Sequence, residues 1–395
     1  MSRRGELDAL IVGGGAIGAA LALALAREGF DVALIEARAP RTWSRDDDVD
    51  MRVVALAADA RELFEDLGVW PAIEGARVGP HRRMRVWDAS APGEIAFDAA
   101  ENGEAALGWI IENRLIQHAL WQAASTNARV RLVCPGEVAD VENESERAAV
   151  VLADGTRLAA RVLIAADGAE SPVRAKLGIA CSERDYMQRA VVAHVATACS
   201  HEDTAWQRFL PSGPIAFLPL ADGRSSIVWT LPEVEAAGVL ALADAAFRAE
   251  VGAASDFRLG EITATTARAA FPLRMRLADR YVAGRVALAG DAAHVVHPLA
   301  GQGMNLGFRD VACLRRVLAE ARDRGSDLGG AHVLRRYERE RRSENALAAR
   351  GLDAIERLFG ATDPLTPTLR GAGLALVDHV TPLKQLFASI AAGRA

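Results

Sequence analysis

With 395 residues, of which 51% are hydrophobic and 25% charged, the chain has the composition of a soluble globular protein of about two to three domains. Its net charge of −6, from 46 basic and 52 acidic residues, gives no support to nucleic-acid binding. Four cysteines (Cys134, Cys181, Cys199, Cys313) without a C-x-x-C pair suit a reducing compartment and speak against a zinc site or a disulfide framework.

Leu7 to Val12 reads as a buried first strand, Gly13-x-Gly15-x-x-Gly18 as a phosphate-binding turn, and Ala19 to Arg27 as the continuing helix. Ala9 to Ala26 carries no charge and would pass for a membrane span, but the glycine spacing assigns it to this strand, turn and helix. Nor is it a signal peptide, since Arg3 and Arg4 are followed by Glu6 and Asp8 and no cleavage site follows. Val32 to Ile35 forms a second strand ending in Glu36. That carboxylate is placed to accept hydrogen bonds from an adenosine ribose and to repel a 2′-phosphate, so the site favours FAD or NAD over NADP. The motif does not separate FAD from NAD.

Further along, Asp46 to Asp50 reads as a solvated loop, and Asp50 to Leu56 leads into a helix at about Ala57 to Leu67. Met84 to Trp87 and Ile95 to Phe97 alternate like a hairpin. Glu112 to Leu115 opens a helix running to Ala124. Val130 to Val133, Val138 to Val141 and Ala149 to Leu152 are short strands, closed by the turn Ala153-Asp154-Gly155. Val162 to Ala165 is a buried strand; after it, Ser171 is placed to cap a helix whose first turn carries Pro172. Asp167 could hold part of a cofactor through hydrogen bonds.

Between Tyr186 and Ala270 the texture changes. Val191 to Ala196, Trp206 to Leu210, Ile215 to Leu218 and Ser225 to Thr230 read as strands, and Leu240 to Val251 as a helix. No βαβ rhythm is visible, so a mainly antiparallel sheet is expected, forming one wall of a substrate pocket. Val286 to Ala289 is then a buried strand that ends at Gly290-Asp291. A loop stiffened by Pro298 follows, and Gly301 to Gly303 opens a helix to Arg322. Asp291 could accept hydrogen bonds from a sugar or ribityl hydroxyl, while the helix N-terminus could stabilise negative charge on a ligand ring. His294 and His297 have no third ligand in reach by sequence, so they line the pocket rather than bind a metal. His332 to Ile355 is helical, with Tyr337 to Asn345 as a charged, solvated face. Arg370 to Ala392 is helical with a break before Pro382, and Leu374, Leu376, Val377, Val380, Leu383, Leu386 and Phe387 form an apolar stripe.

Three segments together resemble the FAD-dependent aromatic hydroxylases of the para-hydroxybenzoate hydroxylase type: Gly13 to Gly18, the D-G-x-x-S-x-x-R run Asp167 to Arg174, and Gly290 to Asp310. More narrowly, Gly301-Gln-Gly-Met-Asn-Leu-Gly-Phe-Arg-Asp310, Tyr337 to Asn345 and Pro382 to Phe387 are similar to the ubiquinone-biosynthesis branch. The resemblance implies an α/β fold with a Rossmann-like FAD-binding domain of the glutathione-reductase type (1–75, 100–180 and 271–330). An inserted, mainly antiparallel substrate domain (76–99 and 181–270) and a C-terminal helical region (331–395) complete it. Among the residues implied to bind FAD are Gly13, Gly15, Gly18, Glu36, Arg52, Arg114 and Val138. The others are Asp167, Asp291, Gly301, Gly303, Met304 and Asn305. NADPH or NADH is implied as a transient co-substrate, there being no second Gly-rich site.

Pro298, at the position where the family turns a proline carbonyl to the substrate edge, and Arg52, on a mobile loop near the flavin, are the catalytic candidates. No residue is identified as a phenol base, and no metal is expected. The implied reaction is hydroxylation of a phenol ring with O₂ through a flavin C4a-hydroperoxide. In the ubiquinone branch the aromatic substrate is prenylated. That implies a cytoplasmic protein held peripherally at the inner membrane by its C-terminal stripe or through a hydroxylase assembly, and it admits a homodimer. A flavin reductase, a tailoring monooxygenase of another substrate and a non-catalytic flavin-fold subunit stay open.

Overall fold

Leu7–Val12 and Val32–Ile35 are apolar runs of the kind that are stable only where both faces of a sheet are covered. In the computed structural model, which describes residues 7–90, 93–296 and 302–360, they pair in parallel at the centre of an eight-stranded sheet. Arg157–Ala165 and then Val286–Leu288 extend the sheet on one side, and Val130–Val133 on the other, all parallel. The antiparallel strands Val138–Asn143 and Ala148–Leu152 lead into Arg157–Ala165. Helix Ala16–Arg27 is buried almost all round, between helices Asn113–Thr126 and Gln302–Asp323. Its many alanines allow that close approach, and its sequence, uncharged up to the exposed Arg27 at its end, is that of an internal helix.

A second sheet of nine strands is almost wholly antiparallel. Its order runs His294–Val295, Ala269–Ala278, Cys181–Thr197, Ser225–Pro232, Ile215–Pro219 and Thr204–Phe209, with Ile262–Thr265 also paired to Cys181–Thr197. The hairpin Arg83–Asp88 and Glu94–Asp98 completes it, joined in parallel to Thr204–Phe209. Successive side chains on a strand point to opposite faces. One face carries Val191, Ala193, Val195, Ile215, Phe217, Ile227, Trp229 and Leu231, packed with Phe247 and Val251 into a core of its own. By register, the other face carries three rows: Leu218, Ser226 and His194; then Ala216, Val228, Val192 and Ala269; then Thr230, Ala190 and Phe271.

Two elements differ from the sequence-based expectation. Val53–Leu56 is not the run-in to a helix but a strand of a small third sheet, with Gly108–Glu112 and Val78–His81; the helix starts only at Ala58. Leu240 to Val251 is broken into helices Glu233–Ala241 and Asp244–Ala254 by an extended Leu242. Arg268 supports the break: it donates to the Leu242 carbonyl, which a continuous helix would pair internally, and to the Asp244 carboxylate, each at 2.7 Å.

Candidate active site

Gly13 ends the first strand at φ +102°, where a side chain would strike the Ala166 carbonyl from the neighbouring strand. Gly18 lies so close to the Gly13 carbonyl that even a methyl group would overlap it. At Gly15, by contrast, the space a Cβ would enter is open, and Gly15 is the uncapped N-terminal residue of helix Ala16–Arg27. Free N–H groups at a helix start beside open space form a cradle for phosphate. Glu36 reaches this turn, and one of its carboxylate oxygens accepts from the Gly14 amide at 2.6 Å. Each carboxylate oxygen keeps lone pairs for a ribose. Val138 starts the strand Val138–Asn143 and packs against the main core.

Asp167 follows the strand that abuts Gly13. Its Oδ2 accepts from the Val173 amide at 3.1 Å, while the buried Oδ1 has no partner, and burial pushes the carboxyl above its usual range. Ser171 caps the short helix Pro172–Lys176 as expected, accepting from the Arg174 amide at 2.9 Å. Arg174 itself is buried and donates to the Ala169 and Ala292 carbonyls, tying this loop to the Asp291 turn.

The loop Asp46 to Asp50 is not simply solvated. Glu112, nearly buried, accepts from the Asp50 amide at 2.7 Å, from Trp43 Nε1 at 3.2 Å and from Arg77 Nε at 2.9 Å. Asp50 in turn accepts from the amides of Arg52 (3.4 Å) and Arg114 (3.2 Å). One buried carboxylate thus positions both arginines. Arg114 pairs with Asp47 at 3.3 Å and keeps a buried Nε without a partner. Arg52 lies over the Phe271 ring, 4.6 Å from its centroid, on the site face of the nine-stranded sheet.

Asp291 is exposed, yet desolvation by the surrounding protein raises its carboxyl above the usual range against the charges of His294 and Arg52. A reachable but poorly hydrated carboxyl lines the wall of a cleft. The open cradle at Gly15, the unpartnered oxygen of Asp167, the spare donor of Arg114 and the accessible Asp291 fit a bound FAD. The first would receive its pyrophosphate, and the carboxylates its hydroxyls. Gly303 and Met304 lie in the first turn of helix Gln302–Asp323, whereas Pro298, Gly301 and His297 lie outside the described residues. Asn305, also proposed from sequence as a cofactor ligand, is buried and ties the Val53–Leu56 strand, donating to Ala55 O (2.9 Å) and accepting from Ala57 N (3.0 Å).

Beneath the Asp291 turn lies a polar cluster that the sequence reading missed. Asp310 is fully buried and accepts from Gly290 N (2.9 Å), His294 Nε2 (2.6 Å), Arg341 Nε (2.8 Å) and Asn345 Nδ2 (3.3 Å). Burial raises its carboxyl, but the charges of His294 and Arg341 and their hydrogen bonds outweigh this and hold it below the usual range. Tyr337, also buried, donates to the Leu288 carbonyl at 2.7 Å. Tyr337, Arg341 and Asn345 lie at i, i+4 and i+8 on helix Ala331–Gly360, so this segment is not a solvated face. His294 is likewise inside the cluster rather than lining the pocket. The helical spacing of three hydrogen-bonding side chains was the available signal.

The family model for the FAD binding domain matches residues 6–350. The chain is 38% identical over 383 residues to the 3-demethoxyubiquinol 3-hydroxylase of Escherichia coli, covering 97% of each protein. It is 36% identical to the ubiquinone hydroxylase UbiL of Rhodospirillum rubrum, covering 98% of this chain and 89% of the relative. In fold it is similar to the crystal structure of p-nitrophenol 4-monooxygenase PnpA from Pseudomonas putida, with a TM-score of 0.78, 17% identity and 99% of each chain covered. The chain belongs to the FAD binding domain family and is an FAD-dependent monooxygenase.

Proposed function

We propose that the protein hydroxylates the aromatic ring of a ubiquinone-biosynthesis intermediate. In that reaction a ring C–H becomes C–OH, the second oxygen atom of O₂ leaves as water, and NADPH or NADH supplies the two electrons. Bound FAD, once reduced, supplies the oxygen activation. The chain's own residues bind, orient and dehydrate. Glu36, Asp167, Arg114 and Asp291 would hold the cofactor along its length. Arg52, fixed through Asp50 and Glu112, would place a positive charge between Asp291 and the sheet. The observation that carries the substrate reading is the site face of the nine-stranded sheet. Its three rows are mostly small and apolar and hold no lysine or arginine of their own, and the arginine over this face, Arg52, comes from the Asp50 loop and stacks on Phe271. That suits an alkylated ring without a carboxyl group, in keeping with the ubiquinone-type rings named for the relatives.

Flavin-loaded protein is expected to oxidise NADPH or NADH many-fold faster when an alkylated methoxyphenol is added. Oxidation unaffected by any phenol in a panel would instead favour a reductase.

A prenylated ring resides in a membrane, and no helix among the described residues is long and apolar enough to cross one. We therefore infer a peripheral contact, made by the stripe Leu374 to Phe387 beyond the described residues and supported by the exposed Leu347 on the preceding helix. A chain ending at Gly360 should keep its FAD and lose its affinity for liposomes. Loss of flavin on truncation would show that the stripe packs against the protein.

A further inference from the structure

Of the residues in the three rows of the site face, only His194 has an ionisable side chain. His194 is 2% exposed, and its Nε2 lies 3.0 Å from the carbonyl oxygen of Asp50. A carbonyl only accepts, so Nε2 carries the proton and Nδ1 is left as an acceptor. Nδ1 is buried, and no group of the protein donates to it. Ser226 stands directly opposite His194 in the register, is fully buried, and has an unpartnered Oγ as well. Two buried polar atoms without partners, on residues paired across neighbouring strands, call for a hydrogen-bonding ligand.

The place of this recess says which ligand. Asp50, which His194 contacts, is two residues before Arg52. Arg52 lies over Phe271 of the same sheet face, and its charge acts on Asp291. His194 thus shares the sheet face that carries Arg52 over Phe271, two rows along from Phe271, and is held by the same loop that presents Arg52.

We propose that Nδ1 of His194, with Ser226 Oγ beside it, accepts the hydrogen bond of the substrate's phenolic hydroxyl, making His194 the residue that selects a phenol and sets its orientation. This rests on the aromatic-hydroxylase reading above. Burial holds the imidazole below its usual range, with the Arg224 charge assisting and the carbonyls of Asp50 and Val49 and the Asp222 charge opposing, so the acceptor is a neutral ring. A phenol O–H donating to it gains electron density on oxygen and, by conjugation, on the ring carbons ortho and para to it. Those are the carbons that an electrophilic oxygen attacks. No bond between protein and substrate forms, and the phenol proton stays on its oxygen or is shared with Nδ1.

Guaiacol and its methyl ether, veratrole, differ in the hydroxyl proton that Nδ1 would accept. Titrated into FAD-loaded wild-type protein and followed by flavin absorbance, guaiacol is expected to bind about tenfold or more tightly than veratrole. In His194→Phe the preference should vanish, with flavin occupancy and veratrole affinity within about twofold of wild type. His194→Gln, which keeps a donor for the Asp50 carbonyl, serves if the Phe variant does not fold, and its preference should also fall. An undiminished preference in a folded, flavin-loaded variant overturns the proposal. A weakened flavin affinity with the preference intact overturns it too, assigning Nδ1 to an N–H of the cofactor ring. Wild-type protein that responds to neither compound overturns the aromatic-substrate reading itself.

Discussion

Asp291→Ala is expected to fold and to purify without its yellow colour. The carboxylate is accessible, but the surrounding protein desolvates it and raises its pKa, so its removal does not weaken the apo fold. What disappears is an acceptor on the wall of the cofactor cleft. A hydrogen bond to a charged group contributes about 1.5–3 kcal/mol, and a carboxylate bridging two ligand hydroxyls contributes up to twice that. Each 1.4 kcal/mol is tenfold in affinity, so the flavin dissociation constant should rise by two orders of magnitude or more, roughly. The flavin-to-protein absorbance ratio and the far-ultraviolet dichroism of the same sample check this. Full flavin occupancy in a folded variant would show that Asp291 does not touch the cofactor.

Arg341→Met is expected to lower the folding stability by about 3–5 kcal/mol, because it leaves the fully buried Asp310 carboxylate short of its guanidinium partner. Arg341 Nε is 2.8 Å from Asp310, and its Nη2 also donates to Asn345 at 2.7 Å and to the Leu306 carbonyl at 3.4 Å. Asp310 supports the Gly290 amide, next to Asp291, so the loosened turn should weaken flavin binding as well. Chemical denaturation of the apo protein gives the first effect separately from the second. Arg342→Met, one position along on the exposed face, is the control and should change stability by less than about 0.5 kcal/mol. Equal, small effects at both positions would restore the reading of this segment as a solvated face.

The contrast between these residues shows what local sequence carries. Gly13, Gly15, Gly18 and Glu36 were legible because a strand, a tight turn, a helix start and a carboxylate all follow within one βαβ unit. Ser171 as a cap was legible for the same reason: its partner is three residues away. Arg341 was misread because charge composition suggests solvent, whereas its partner Asp310 is 31 residues distant on another helix. His194 was not legible at all. A lone histidine in an apolar strand has no local signature, and only the strand register that sets it opposite Ser226, together with the fold that brings the Asp50 loop onto it, reveals its free nitrogen. Likewise, Asp46 to Asp50 looked like a solvated acidic loop until Glu112, more than sixty positions on, was seen to gather it.

The central claim, that this chain inserts one atom of O₂ into an aromatic ring, is tested most directly by isotope. FAD-loaded protein, NADPH and an alkylated methoxyphenol are incubated under oxygen-18 gas in ordinary water, and the product is weighed by mass spectrometry. The account predicts a hydroxylated ring carrying a single oxygen-18 atom. NADPH consumption that yields only hydrogen peroxide, or a product whose new oxygen comes from water, would contradict it.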